Sequence, residues 1–292
     1  MRLLVTGGSG FLGGYVLREA FRRGHQSVAL ARSGTAAATV ARRAARPVSG
    51  DLDDPAGLSL AFAAARCDAL VNLASLGFGH ARVIITAAQN AGIARAVFLS
   101  TTAISTALPA PSKQVRLDAE QRIRRSGLDW TILRPTMIYG APGDRNLSRL
   151  LALLHWAPAL PVPGGGMRLQ QPVHVADVAD AVLNAVERQE TAGGCYDVAG
   201  PEPLSLASLL RVAASTVGSR TRFFPVPMAP VIVAARGCEW FSRHRWIRAE
   251  QVRRLAEDKV FAIDDAVRDL GYAPRPFPAG ILAQAQAMGL AR

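Results

Sequence analysis

The sequence predicts an α/β fold, a doubly wound parallel sheet with helices on both faces and a small C-terminal cap. Three observations point there. Strand-like and helix-like segments alternate through the first half. A glycine cluster stands between the first strand and the first helix. The second half is richer in proline and glycine and less regular.

Taken in order, Leu3–Val5 is a short apolar run that ends in the glycine cluster. Phe11, Leu12, Val16, Leu17, Ala20 and Phe21 recur at helical spacing, and Gly24 suits a helix C-terminus. Ser27–Ala31 reads as a second strand, and Val48 leads a third into Asp51. Ala69–Leu73 is a fourth strand, Ala81–Ala91 a helix closed by Gly92, and Ala96–Leu99 a fifth strand. A helix over Leu117–Arg125 ends at Gly127, and a sixth strand, Trp130–Leu133, stops at Pro135. Pro142, Pro158, Pro161, Pro163 and the Gly164–Gly166 run then mark a loop-rich region. Ala176–Glu187 reads as helix, Cys195–Val198 as strand, and Ser205 as the N-cap of a helix to about Val217. Further helices are expected over about Val231–Phe241 and Ala249–Glu257. The expected organisation is one compact unit, 1–292. Its core covers about 1–140 plus 168–200, and its cap or substrate part about 141–167 and 201–292.

Composition narrows the function classes. The chain has 292 residues and is 50% hydrophobic, enough to bury a sizeable core. The longest apolar run, Pro225–Ala235, is about half the ~20 residues a spanning helix needs. The first apolar run begins at Leu3, which leaves no room for a signal peptide before it, so the expectation is a soluble, cytoplasmic protein. Cys67, Cys195 and Cys238 are odd in number and far apart, which argues against a disulfide framework or a zinc site. The net charge of +12 invites a nucleic-acid partner. Yet Lys113 and Lys259 are the only lysines, and the arginines are dispersed, as in a chain encoded by a G+C-rich genome. Nucleic acid is therefore set aside as a partner.

Thr6-Gly7-Gly8-Ser9-Gly10-Phe11-Leu12-Gly13 follows a strand and opens a helix. Gly7, Gly10 and Gly13 fit G-x-x-G-x-x-G: a tight turn, a close approach for a pyrophosphate, and close packing of helix on strand. Amide groups at the helix start, with the positive end of its dipole, attract the anion. An NAD site places an acid about 20 residues past the turn, on the ribose 2′-hydroxyl. Ala31-Arg32-Ser33 stands there instead. Arg32 can pair with a 2′-phosphate, so NADP(H) is preferred and NAD(H) is the alternative.

With these residues in view, the chain resembles the short-chain dehydrogenase/reductase superfamily in its extended and atypical branches. Gly50-Asp51-Leu52, Asn72-Leu73-Ala74, Leu99-Ser100-Thr101-Thr102, Leu133-Arg134-Pro135-Thr136 with Tyr139-Gly140, Pro172–Ala179 and Asp269-Leu270-Gly271-Tyr272 resemble successive motifs of that family. The closest-looking groups are sugar-nucleotide epimerases, NAD(P)H-binding reductases and the accessory subunit of respiratory complex I. The resemblance implies a Rossmann domain with a small substrate-binding part. It implies cofactor contacts at Gly7, Ser9, Gly10, Phe11, Leu12, Gly13, Arg32, Ser33, Asp51, Leu52, Asn72, Leu73, Ala74, Ser100, Thr101, Arg116 and Pro135.

The family's acid–base pair is Tyr-x-x-x-Lys with a Ser or Thr. Counting 11 residues back from Gly127 reaches Arg116, so the pair here is Ser112-Lys113-Gln114-Val115-Arg116. The tyrosine is missing, and the lysine has become Arg116 or moved to Lys113. A serine hydroxyl without an adjacent base is a poor acid, and arginine holds charge without shuttling protons. Thr102, Ser112, Lys113, Arg116 and Tyr139 are the candidate catalytic residues, with His80 a further alternative for the acid. His174 and Asp177 read as structural, Asp177 by meeting a helix start. A basic, aromatic stretch over 236–254 follows an apolar one, and a membrane-surface contact at about 229–254 stands beside lid, subunit-interface and ordinary cap readings. The expected function is an NADPH-dependent oxidoreductase acting on an apolar small molecule. The alternatives are a non-catalytic NADP(H)-binding sensor or structural subunit, with a protein partner or as a homodimer, and a sugar-nucleotide epimerase/dehydratase.

Overall fold

The computed structural model describes residues 1–108, 111–140, 144, 146–231 and 257–291. The contacts divide the chain into two units. The first comprises Met1–Thr136, Val175–Val198 and Ala262–Ala273; the second comprises Met137–His174, Ala199–Phe261 and Pro274–Arg292.

The first unit alternates strand and helix: β1 (Arg2–Thr6), α1 (Phe11–Arg22), β2 (Gln26–Ala31), α2 (Gly34–Ala41), β3 (Arg46–Ser49), α3 (Pro55–Ala65), β4 (Ala69–Asn72), α4 (Ala81–Asn90), β5 (Arg95–Leu99), α5 (Pro111–Arg124) and β6 (Asp129–Pro135). The helix Val175–Glu187 and the strand Cys195–Val198 complete it, with the short helix Asp264–Leu270. All seven strands run parallel, in the order Cys195–Val198, β6, β5, β4, β1, β2, β3. The chain builds outward from β1 to β3, then returns to place β4 on the other side of β1. The switch point therefore lies at the carboxyl ends of β1 and β4, where open α/β sheets bind ligands.

Burial follows position in the sheet. Leu3, Leu4 and Val5 of β1 and Leu70 and Val71 of β4 are fully buried, as continuous apolar strands covered on both faces should be. One core layer joins Leu58 and Phe62 of α3, Ile84 of α4 and Ile123 of α5 to the sheet. On the other face α1 packs against Val175–Glu187. Arg23 locks that pair, donating to Asn184 Oδ1 at 2.7 Å and Glu187 Oε2 at 3.0 Å. β3 is the exposed edge, which is where Pro47 is tolerated.

The local differences from the sequence expectation have physical causes. α2 and α3 lack a clean apolar stripe but carry readable starts. Ser33 Oγ accepts from Ala36 N at 3.2 Å, and Asp54 Oδ1 accepts from Gly57 N at 3.1 Å ahead of Pro55. α5 begins at Pro111, not Leu117; its first turns are polar and carry no apolar periodicity. The third strand ends at Ser49, before Asp51.

In the second unit the expected loop region contains a helix, Leu147–Trp156, whose Leu147, Leu151 and Leu154 are buried. They pack with Leu209 and Ala213 of Leu206–Thr216 and with Phe277 and Ile281 of Phe277–Ala287. Asp144 joins the first and last of these helices, accepting from Ser148 N at 3.2 Å and from the buried Gln284 amide. Ala159–Pro163 pairs in parallel with Arg222–Val226. The helices expected over Val231–Phe241 and Ala249–Glu257 lie, but for Val231 and Glu257, outside the described residues, as does most of the 229–254 stretch. No helix among the described residues is long and apolar enough to cross a membrane.

Candidate active site

The glycine turn occupies the carboxyl end of β1. Gly7 takes φ +70°, and Gly10 N donates to Gly7 O at 3.0 Å, closing the turn. A Cβ on Gly13 would collide with the carbonyl oxygens of Gly7 and Gly8. Only glycine lets the helix sit that close to the turn. Gly10 is the N-cap of α1, and no side chain caps that terminus. The first-turn amides and the dipole are thus presented to an anion, and the cradle fits a dinucleotide pyrophosphate.

The neighbouring loop is held by side chains. Thr6 Oγ1 donates to Asn72 Oδ1 at 2.6 Å, and Asn72 Nδ2 donates to Ala74 O at 3.1 Å. Asn72 is fully buried, so it braces Leu73-Ala74 beside the turn from within. At the end of β2, Arg32 and Ser33 are exposed, and Ser33 caps α2. Asp51 Oδ1 accepts from Asp53 N at 3.1 Å, with Leu52 half-buried beside it. His80 pairs through Nε2 with Asp53 Oδ1 at 2.8 Å.

Past β5, Ser100 is buried and its amide donates to Leu133 O at 2.7 Å. Thr101 Oγ1 caps the following turn by accepting from Ala103 N, and Thr102 Oγ1 donates to the carbonyl of the buried Pro135 at 3.3 Å. At the start of α5, Arg116 Nη1 donates to Ser112 Oγ, and Arg116 Nη2 lies 3.5 Å from Ser75 Oγ. The guanidinium packs over Gly77, whose missing side chain makes the room. Lys113 turns elsewhere, donating through Nζ to Thr106 O at 2.6 Å. Ser112 and Arg116 therefore form the pair, and Lys113 does not join it.

One turn beyond Arg116, sequence reasoning missed an ion pair of the buried Glu120 with the half-buried Arg134. Arg134 binds Glu120 through Nε at 3.0 Å and Nη2 at 2.5 Å. Burial pushes the Glu120 carboxyl up, but Arg134 overcomes it and holds the group below the usual carboxylate range. Burial likewise pushes Asp197 up, against Arg134. Glu120 and Arg134 lie 14 residues apart on a helix and a strand, so no local spacing signalled the pair.

Tyr139 lies in the second unit and is fully buried. Its ring meets His174 edge-on at 5.4 Å and Phe277 at 5.4 Å, and a Cβ on Gly280 would strike its hydroxyl. Burial first, then Arg275, lowers the His174 pKa to about 4, so this imidazole is neutral. Asp177 sits in the first turn of Val175–Glu187. Among the described residues no group of His, Cys, Asp and Glu could hold a metal.

A family model described as NAD(P)H-binding matches residues 7–189, from the glycine turn through the helix Val175–Glu187. The chain belongs to that family. It is 29% identical, over 94% of its length and 92% of the relative's, to 4-hydroxy-2-methyl-3-oxo-4-farnesyl-3,4-dihydroquinoline-1-oxide ketoreductase of Stigmatella aurantiaca. It is 28% identical to the photosystem II assembly factor Ycf39 of Synechocystis, over 78% of this chain and 72% of that one. The fold matches UDP-glucose 4-epimerase of Thermus thermophilus, solved in complex with NAD, with TM-score 0.74 and 20% identity over 99% of both chains. The family's Rossmann fold of the atypical, epimerase-like type is thus established, with an NAD(P)H-binding domain.

Proposed function

We propose that this chain is an NADPH-dependent reductase that converts an oxo group on an apolar small molecule to a hydroxyl, in the cytoplasm. The observation that carries the reading is the contact of Arg116 with Ser112 in the unit that holds the glycine turn. The ketoreductase relative, whose named substrate bears a farnesyl chain, supports the substrate class.

The glycine turn and the start of α1 would hold the pyrophosphate. Arg32 and Ser33 would receive the 2′-phosphate, which makes NADPH the preferred form. Bound reduced nicotinamide supplies a hydride. The oxo carbon would accept it and the oxo oxygen would take up a proton from water, so the step balances. Arg116 donates to Ser112 Oγ, which leaves the serine O–H to donate to the oxo oxygen. The guanidinium stays charged and stabilises the oxyanion as it forms. Thr102, whose hydroxyl donates to Pro135 O, would stand beside the reacting groups. Orientation of the reactants supplies much of the rate.

Two measurements test this. Titration should give tighter binding of NADPH than of NADH. A panel of alkyl-substituted 3-oxo compounds should oxidise NADPH with the purified chain. A protein that binds the cofactor yet turns over none of them would sink the enzymatic reading.

Ser112 standing where the family has tyrosine favours a second reading, an NADP(H)-dependent sensor or structural subunit with a protein partner. The assembly-factor relative supports it. A partner that bound NADP⁺ and NADPH forms equally would remove the sensor version.

A further inference from the structure

The glycine turn has a back as well as a front. Arg43 lies in the turn that closes α2, its own amide held by Val40 O at 2.9 Å. Its Nη1 donates to Gly8 O at 2.7 Å and to Gly10 O at 2.8 Å. One guanidinium nitrogen thus grips two carbonyls of the cofactor turn from behind. Room for it comes from Gly14 in the first turns of α1. A Cβ there would lie 2.8 Å from Arg43 Cζ and 3.1 Å from Nε. Glycine inside a helix is unfavourable, yet this position carries it beyond the three glycines of the motif.

The electrostatics agree. Among the described residues no carboxylate forms a salt bridge with Arg43. Burial, then Arg18 and Arg42, make its charged form less comfortable. By contrast Arg22 and Arg23, on the far end of α1, are neutralised by Glu19 and Glu187. A cation left without an acid beside an anion cradle raises the potential there and is relieved when the anion arrives.

We propose that Arg43 is a positioning residue for the dinucleotide: it fixes the Gly8 and Gly10 carbonyls backward, so that the turn's amides face the pyrophosphate, and it adds positive charge behind them. This deepens the cofactor reading and rests on it. Arg43 serves the part of the cofactor common to NADPH and NADH, whereas Arg32 serves the 2′-phosphate.

The test is calorimetric titration of wild type, Arg43→Met, Arg43→Lys, Gly14→Ala and the Gly14→Ala/Arg43→Met double variant with NADPH and with NADH. Thermal midpoints of the unliganded proteins are measured in parallel. Arg43→Met should weaken both nucleotides by on the order of tenfold, about the worth of one charge-assisted hydrogen bond, and leave their affinity ratio unchanged. Arg43→Lys should recover part of the loss. Gly14→Ala should weaken both in the same way while its unliganded midpoint does not fall, because alanine favours the helix and only a flexible guanidinium must move. The double variant should bind no worse than Arg43→Met alone. Binding within twofold of wild type in Arg43→Met overturns the proposal. So does a loss confined to NADPH, a fall in the unliganded midpoint that accounts for the weakening, or full additivity of the two substitutions. Wild type that binds neither nucleotide overturns the cofactor reading, and this one with it.

Discussion

The glycine turn and the start of α5 lie in the same unit, yet they differ in what their chemistry is made of. The turn works through backbone: Gly7 at positive φ, Gly13 packed against carbonyls, and α1 amides left uncapped. Any side chain added there displaces main chain. The start of α5 works through side chains that a helix tolerates in any combination. Ser112 and Arg116 occupy it without disturbing the fold. Under the proposed function, cofactor binding is constrained by backbone geometry and proton transfer is not, so the second can diverge while the first stays.

That contrast can be broken at four points. Gly13→Ala should have the largest effect. Overpacking against backbone costs about 1–3 kcal/mol, so affinity for either nucleotide should fall by up to on the order of 100-fold, read by titration. Retained affinity would mean the turn is looser than its contacts. Arg116→Met should lower kcat on the order of 10- to 100-fold through lost charge stabilisation, while Ser112→Ala lowers it only a few-fold, because water delivers the proton. Equal losses in the two variants would make serine the acid after all.

The third point is whether the missing acid has moved to Tyr139, whose ring packs on His174. The folded imidazole titrates at about 4 and the unfolded one near 6.5. Between those values the unfolded state binds more protons, so stability is full above pH 6.5 and falls as the pH drops. The loss is about 3 kcal/mol by pH 4, and denaturant titrations should show it in wild type and not in His174→Gln. Tyr139→Phe should leave kcat within about twofold, as expected of a ring whose role is packing. A tenfold fall with unchanged stability would place the acid there. At the fourth point, Arg32→Ala should weaken NADPH about tenfold and leave NADH unchanged.

The cofactor turn was legible because its signal is local. Strand, glycines and helix follow one another within a dozen residues, and each glycine answers a steric demand visible in the sequence. The parallel sheet was legible for the same reason, from apolar runs at regular intervals. Leu147–Trp156 was hidden by the prolines and glycines around it, although Leu147, Leu151 and Leu154 carried a helical spacing. The start of α5 was hidden because polar helical turns leave no periodic trace.

By itself, the sequence determined the strand–turn–helix at Gly7–Gly13, the alternation that makes a parallel sheet, and the replacement of the tyrosine by Ser112. Only the tertiary structure decided which side chains meet. It turned Lys113 to Thr106, set Arg116 on Ser112, paired Glu120 with Arg134, buried Tyr139 against His174, and brought Arg43 behind the turn. The physical reason is range. Backbone conformation answers to neighbours in sequence, whereas a guanidinium finds its partner across 35 residues of chain, as Arg43 does at Gly8.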